Sequence, residues 1–232
     1  MKLFLLPFLM SLYTLLNASA VIGFVEKVDG SVKVKHEGSF KKTKVKNGLD
    51  LRNGDLVTTS KDSNAVLKLV DGSVLALAES SAIHFTEGSN AQQTEGKVYY
   101  KITTRDAKNS LKIKTPFAII GIKGTTFVIN AGEDSSLKLQ EGLVGVSSLK
   151  EEFKLYRKEV LQEFNNYVDG ENAEFEKFKN PDKKPEPVVT KEFDLEAMHT
   201  ISFSDNEVRE RVLSKDDEKE FNYFEKLIKP AN

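Results

Sequence analysis

The 232-residue chain has no cysteine and no tryptophan. Without cysteine there is no disulfide, no thiolate metal site, no cysteine nucleophile and no lipidated N-terminal cysteine. Without tryptophan, a Trp-based sugar platform has no material. An excess of one charge is also missing. The chain carries 34 Lys+Arg against 35 Asp+Glu, a formal net charge of −1, which removes whole-chain attraction to nucleic acid as a basis for function. Beyond the first twenty residues no apolar run reaches the roughly 20 residues of a spanning helix. What remains is ordinary for a soluble chain: 39% hydrophobic and 30% charged residues, and length enough for one sizeable core or two small ones.

The one apolar run sits at the N-terminus. Lys2 precedes an apolar stretch from Leu3 to Leu16, interrupted by Pro7, Ser11, Tyr13 and Thr14, and Ala18-Ser19-Ala20 follows. A short positive region, an apolar core and a small-x-small site are what signal peptidase reads. Residues 1–20 are therefore expected to be a signal peptide, with Val21 starting an exported chain. A retained anchor is the alternative.

Between residues 21 and 148 apolar residues alternate with period two. Val32 and Val34 alternate with Lys33 and Lys35; Leu67 and Leu69 flank Lys68; Val98, Tyr100 and Ile102 alternate with Lys97, Tyr99 and Lys101; Leu111 and Ile113 alternate with Lys112 and Lys114. This is the pattern of strands with one dry and one wet face. Asp29-Gly30, Asn47-Gly48, Asn53-Gly54, Asp71-Gly72, Glu95-Gly96 and Glu141-Gly142 punctuate them as turns. Val28-Asp29-Gly30-Ser31-Val32 recurs as Val70-Asp71-Gly72-Ser73-Val74, and Glu95-Gly96-Lys97-Val98 is echoed by Glu141-Gly142-Leu143-Val144. Short strands with approximate repetition predict a mainly β fold, either a β-solenoid or a stacked sandwich.

Composition changes near residue 148. Residues 21–148 hold 18 Lys+Arg against 14 Asp+Glu, and residues 149–232 hold 15 against 21. We therefore expect a β domain over 21–148 and a charged C-terminal region over 149–232. Leu149, Phe153, Tyr156, Val160, Phe164 and Tyr167 recur at helical spacing. Pro181 to Pro187 reads as an extended linker. Phe193 and Leu195, then Ile201 and Phe203, read as a small strand pair. Lys215 to Ile228 reads as a last helix, capped by Ser214 and burying Phe221, Phe224 and Ile228.

Two stretches carry one further pattern. The first is Leu51-Arg52-Asn53-Gly54-Asp55-Leu56-Val57-Thr58-Thr59, continued by Ser63 to Ser73. The second runs from Ile113 through Thr115-Pro116 and Gly121-Ile122-Lys123-Gly124-Thr125-Thr126-Phe127 to Gln140-Glu141-Gly142-Leu143-Val144-Gly145-Val146. Together they resemble the FecR domain family, whose pattern is a strand ending in Thr-Pro, then Gly-Val-Arg-Gly-Thr, a strand and Glu-Gly-x-Val. Here Ile122 and Lys123 replace the usual valine and arginine. The resemblance covers roughly residues 21–148. It implies an extracytoplasmic all-β domain of stacked short strands, built for contacts rather than catalysis. In well-known members a transmembrane helix and a cytoplasmic sigma-factor-controlling region precede the domain; this sequence shows neither.

No cofactor, metal site or catalytic constellation emerges. Gly121 to Thr126 has its lysine before the second glycine and leads into a strand, unlike a phosphate loop. His36, His84 and His199 are far apart without ligand spacing, and read as surface or boundary residues. Thr115, Pro116, Gly121, Gly124, Glu141 and Gly142 are expected to shape turns. Lys123 at a turn tip, Thr125 at the start of the strand after it, and the lysine-dense stretch of Lys33, Lys35, Lys41, Lys42, Lys44 and Lys46, are the candidate contacts. The lysines would attract an anionic envelope polymer or an acidic protein, or simply protect a sheet edge. The sequence therefore predicts a non-enzymatic periplasmic or envelope module that binds another envelope protein or itself, in signalling. The alternative is a structural or surface-assembly component. Neither nucleic acid nor an integral span after signal cleavage is expected.

Overall fold

The period-two alternation becomes two sheets packed face to face. The computed structural model describes residues 19–86, 90–103, 111–122, 124–157 and 186–229. The expected signal segment through residue 18, Lys123, and the expected helix and linker over residues 158–185 lie outside the described residues. In chain order the strands are β1 (Val21–Asp29), β2 (Val32–Lys35), β3 (Thr43–Lys44), β4 (Asp50–Arg52), β5 (Leu56–Thr59), β6 (Asn64–Leu69), β7 (Val74–Leu77), β8 (Ala82–Thr86), β9 (Asn90–Lys101), β10 (Lys112–Lys114), β11 (Ile119–Ile122), β12 (Thr126–Ala131), β13 (Ser136–Glu141), β14 (Leu143–Ser147), β15 (Phe153–Tyr156), β16 (Val188–Thr190), β17 (Glu192–Glu196), β18 (His199–Ser204) and β19 (Glu207–Val212). One helix, α1, spans Lys215–Leu227.

Sheet A runs β4-β1-β6-β7-β9-β12-β13-β18-β19-β15-β16. Sheet B runs β3-β2-β5-β8-β9-β10-β11-β14-β17. Strand β9 belongs to both. Its first half pairs with β8 and β10, its second half with β7 and β12. Among the described pairings only β9–β10 and β15–β19 are parallel. Coils of a solenoid stack in parallel, so the sandwich, not the solenoid, is the form the strands take.

The alternating residues meet between the sheets. Val25, Leu67, Leu75, Tyr100, Phe127 and Leu137 from sheet A pack on Val34, Val57, Ile83, Ile120, Val144 and Leu195 from sheet B in one cluster. Strands after residue 148 join it: β17 pairs with β14, β18 with β13, and Phe153, Leu155, Ile201 and Val208 belong to the same cluster. The change in composition near residue 148 thus falls inside continuous sheets.

Phe153–Tyr156 corrects the helix expected to start at Leu149. It is a strand, with Phe153 and Leu155 buried and Lys154 exposed. Its residues satisfy period two as well as helical spacing. Pairing with β16 on one side and β19 on the other decides between them. His199 also departs from the expected surface position. It is buried in β18, with Nδ1 4.0 Å from the buried Glu210 carboxylate.

The two sequence echoes behave differently. Asp29-Gly30-Ser31 carries the chain from sheet A to sheet B, whereas Asp71-Gly72-Ser73 closes the β6–β7 hairpin within sheet A. They share turn chemistry, not a repeated unit. Glu95-Gly96 and Glu141-Gly142 do share a role, since each passes the chain between sheets at a positive φ, +73° for Gly96 and +93° for Gly142. A Cβ on Gly96 would lie 2.5 Å from the Ser80 carbonyl oxygen, and one on Gly142 would lie 2.7 Å from that of Gly124. Gln93, fully buried just before the fold-over, seals it. Its Nε2 donates to the carbonyls of Gly96 (2.8 Å) and Ile129 (3.2 Å), and its Oε1 accepts from the Tyr100 hydroxyl at 2.8 Å.

The outer face of sheet A is not wet throughout. Ala65-Val66-Leu67, Leu75-Ala76-Leu77, Val98-Tyr99-Tyr100 and Phe127-Val128-Ile129 are apolar on both faces. Their outward members Val66, Ala76, Tyr99 and Val128 form a seat for Phe221 and Phe224 of α1. Tyr99 stacks on Phe224 with ring centroids 5.4 Å apart. Burying each phenylalanine contributes roughly 2 kcal/mol. The helix starts in a capping box. The Asp217 amide donates to Ser214 Oγ, and the Ser214 amide donates to Asp217 Oδ2 at 2.8 Å.

The lysines of sheet A ring this seat. Lys138 lies 2.8 Å from Asp217 and 2.6 Å from Glu220, while Arg211 reaches Asp217 at 2.6 Å. Lys97 pairs with Glu220, Lys101 with Glu225, and the Tyr99 hydroxyl donates to Glu225. Burial pushes the Asp217 carboxyl up, but hydrogen bonds from Arg211, Lys138 and the Ser214 cap hold it well below the usual carboxylate range. Glu220 is lowered in the same way, its burial outweighed by Lys138 and Lys97.

Two outcomes follow from this packing. Gly96→Ala should destabilise the fold by about 3 kcal/mol in urea denaturation, through backbone strain plus a clash with Ser80. Gly48→Ala, also at positive φ but with open space around it, should cost only about 1 kcal/mol. The Asp217 and Glu220 carboxylates are held below their unfolded values. Their contribution is therefore present above about pH 4 and lost as pH falls through the folded values. Hydrogen exchange below about pH 4 should release Lys215–Leu227 before β9, and Phe224→Ala should produce the same release at neutral pH.

Candidate functional site

Turns gather at two opposite mouths of the sandwich. The pairing registers place residues 29–31, 60–63, 79–81, 95–96, 115–118 and 132–135 at one mouth. They place residues 53–54, 70–73, 122, 124–125 and 141–142 at the other, with the loop after β2.

The first mouth holds a cleft of about 620 Å³. Thr115, buried, builds one wall: its Oγ1 accepts from the Phe117 and Ala118 amides (3.3 and 3.0 Å) and donates to the Ala118 carbonyl at 2.9 Å. Pro116 is exposed at the corner. The turn lays Phe117 on Phe203, with centroids 4.3 Å apart, and Phe153 and Phe193 continue the aromatic row. Arg157 stacks over Phe193 at 5.5 Å and reaches Glu210 at 3.1 Å. Ser135, Ser148, Ser204 and Asn206 form a polar rim over Phe117, Phe153 and Phe203. Sequence reasoning gave these phenylalanines no role. Residues 117, 153 and 203 meet only through strand pairing, and their spacing carries no signal.

The second mouth holds Thr125 and the turns around Gly124 and Gly142; Lys123 lies outside the described residues. Gly121 lies in β11 opposite Lys112 and Gly145. Gly124, at φ +61°, turns the chain into sheet A, and the Gly142 turn packs directly on Gly124 and Thr125. Glu141 is opposite Thr126. Two parts of the second family stretch, Gly121 to Thr126 and Glu141-Gly142, thus close one crossing between sheets. Thr125 is buried, not exposed at a tip, because its carbonyl accepts the Ile102 amide at 2.9 Å and Gly142 covers its methyl. Its Oγ1 is buried with no hydrogen-bond partner.

The lysine-dense stretch forms the edge of sheet B. Lys33 is directly opposite Lys44 across β2–β3. Lys33, Lys41, Lys42, Lys44 and Lys46 are exposed and Lys35 is half-buried. Phe40, at the loop tip, is 101% exposed. The loop base is rigid. His36 Nδ1 lies 2.8 Å from Oδ1 of the buried Asp55, whose Oδ2 accepts the Arg52 amide at 2.9 Å. A groove beside it brings His36, Glu37 and His84 together, residues that sequence separation kept apart. Among the described residues, no three His, Asp or Glu side chains converge as a metal-binding group, and no helix is long and apolar enough to cross a membrane.

Comparison with known proteins places these features. A family model described as FecR protein matches residues 55–145, a span from Asp55 into β14 that contains the first family stretch from Asp55 onward, the second through Gly145, and the β9 fold-over. No match was found among curated proteins. A crystal structure of a candidate anti-sigma factor from Parabacteroides distasonis aligns at 13% identity and TM-score 0.45, covering 68% of this chain and 59% of that one. A second crystal structure under the same description aligns at 12% identity and TM-score 0.37, covering 68% of this chain and 99% of that one. A cell surface anchoring domain aligns at 28% identity and TM-score 0.28 over 29% of this chain and 88% of its own length. This chain therefore spans about three-fifths of the first of these solved structures.

The Thr125 hydroxyl separates packing from contact. Thr125→Val keeps the shape and removes an unsatisfied buried donor. It should leave stability unchanged or raise it by about 1 kcal/mol in thermal unfolding. A loss of stability would mean the hydroxyl is paired in solution.

Proposed function

We propose, from the match of residues 55–145 to the FecR family model, that this chain is an exported, non-enzymatic envelope module that binds a protein partner in a signalling role. The observation that carries this reading is the cleft at the first mouth. It has an aromatic floor of Phe117, Phe153 and Phe203 beneath a rim of serine, asparagine and the charged Glu133, Lys150, Glu151 and Asp205. An apolar centre with a polar rim is the anatomy of a protein interface, and aromatic side chains are the usual anchors of binding energy. The Thr115–Ala118 turn, part of the family stretch, holds Phe117 at that floor. Export through the N-terminal segment places the module in the periplasm or envelope.

The test is affinity capture of the tagged chain from its own cross-linked envelope fraction, beside a Ser135→Arg/Asn206→Arg variant that fills the rim. One stoichiometric protein should survive moderate salt with the parent chain. The variant, melting at the same temperature, should lose it by about tenfold or more. Recovery of the chain's own copies alone would replace this reading with surface assembly. Undiminished capture by the variant would remove the cleft from it.

A further inference from the structure

The second mouth carries a different surface. From Lys33 to Lys46 there are six lysines and one carboxylate, Glu37. Five of the lysines are exposed; Phe40 protrudes fully into solvent beside Lys41 and Lys42, while Lys33 and Lys44 face each other along β2–β3 and Lys46 follows Val45 at the far end of β2. A sheet edge protected by lysine needs no aromatic at its tip. The loop is held from within. The Ser39 amide donates to the His36 carbonyl at 3.0 Å, Ser39 Oγ bridges to Lys41 backbone, and the His36–Asp55 contact anchors the base. Phe40 is therefore presented on a turn with its own hydrogen bonds.

The chain enters the fold at this same place. Arg52 donates to the Ser19 carbonyl at 2.8 Å, Ser19 Oγ donates to the Asn53 carbonyl at 2.6 Å, and the Asn53 amide donates to the Ala20 carbonyl. Glu37, at the base of the lysine loop, packs on Gly54. The apolar stretch Leu3 to Leu16 ends three residues before Ser19. Ser19 and Ala20, where the described residues begin, thus lie at the mouth from which Phe40, Lys41 and Lys42 protrude.

We propose that the β2–β3 loop docks this protein on an anionic lipid bilayer, with Phe40 at the boundary of headgroups and acyl chains and the adjoining Lys41 and Lys42 on lipid phosphates. Each lysine near an anionic surface adds about 1 kcal/mol of attraction, screened by salt. An aromatic ring gains by leaving water for the interfacial layer. A soluble polyanion offers the lysines the same charges but gives Phe40 no apolar phase. This inference does not rest on the protein-binding cleft, which lies at the opposite mouth. Bound this way, the protein would turn that cleft away from the membrane.

The absence of tryptophan gives a clean test. In the chain from Val21 onward, which contains every described strand and the helix, Phe40→Trp places one tryptophan at the loop tip. Vesicles of phosphatidylcholine with phosphatidylglycerol should shift its emission to the blue, and phosphatidylcholine alone should not. Adding Lys41→Glu and Lys42→Glu should weaken partitioning by about 30-fold or more. Lys112→Glu/Lys114→Glu, four strand spacings or about 19 Å from β2 on the same sheet, should change it by no more than about twofold. Phe40→Ala, followed by vesicle sedimentation, should weaken binding by about fivefold. No blue shift with anionic vesicles would overturn the proposal. So would an equal shift with soluble polyphosphate, or equal losses for the two charge-reversal pairs, which would leave only diffuse attraction.

Discussion

The fold-over of β9 is the constraint on which the structure depends. One strand supplies a rung to each sheet, so the turn at Glu95–Gly96 sets how the sheets face each other. Only a residue without Cβ fits there, at positive φ against the Ser80 carbonyl. Gln93 then satisfies the carbonyls that the turn buries, with help from Tyr100, which stacks on Phe127 at 4.8 Å. A buried polar side chain is tolerated here because its amide donates twice and its oxygen accepts once. The hydrophobic layer between the sheets can close only because this polar joint is complete.

A second constraint acts from outside. Sheet A presents an apolar patch that water would meet unfavourably, and α1 covers it with Phe221 and Phe224. A helix this short is marginal alone. The seat holds it, and the ring of lysines and carboxylates fixes its register on the sheet. The two halves of the chain differ in net charge for a local reason. Lysines on β9 and β13 wait for the acids of the last helix.

These packing choices leave two working surfaces at opposite mouths: an aromatic cleft built by late strands and a basic loop built by early ones. Neither surface interrupts the core. The loop sits on an edge strand that needs no partner, and the cleft lies where turns end. A rigid sandwich that displays its variable parts on turns is suited to contacts.

The sequence by itself determined the β character, the turn positions, the last helix with its Ser214 cap, and the lysine-dense edge. Each rests on local physics: period two, positive-φ glycine, capping, like charges in a row. It also held the helix seat in plain view, as apolar triplets such as Val98-Tyr99-Tyr100, although alternation alone made Tyr99 look wet. Tertiary structure alone decided which sheet each strand joins, that the Asp-Gly echo is turn chemistry and not a repeat, and that Phe153 is in a strand. It also decided that Thr125 is buried and that Phe117, Phe153 and Phe203 share one floor. Those outcomes depend on pairings between residues tens of positions apart. Such pairings are selected by the whole core at once, and no local spacing records them.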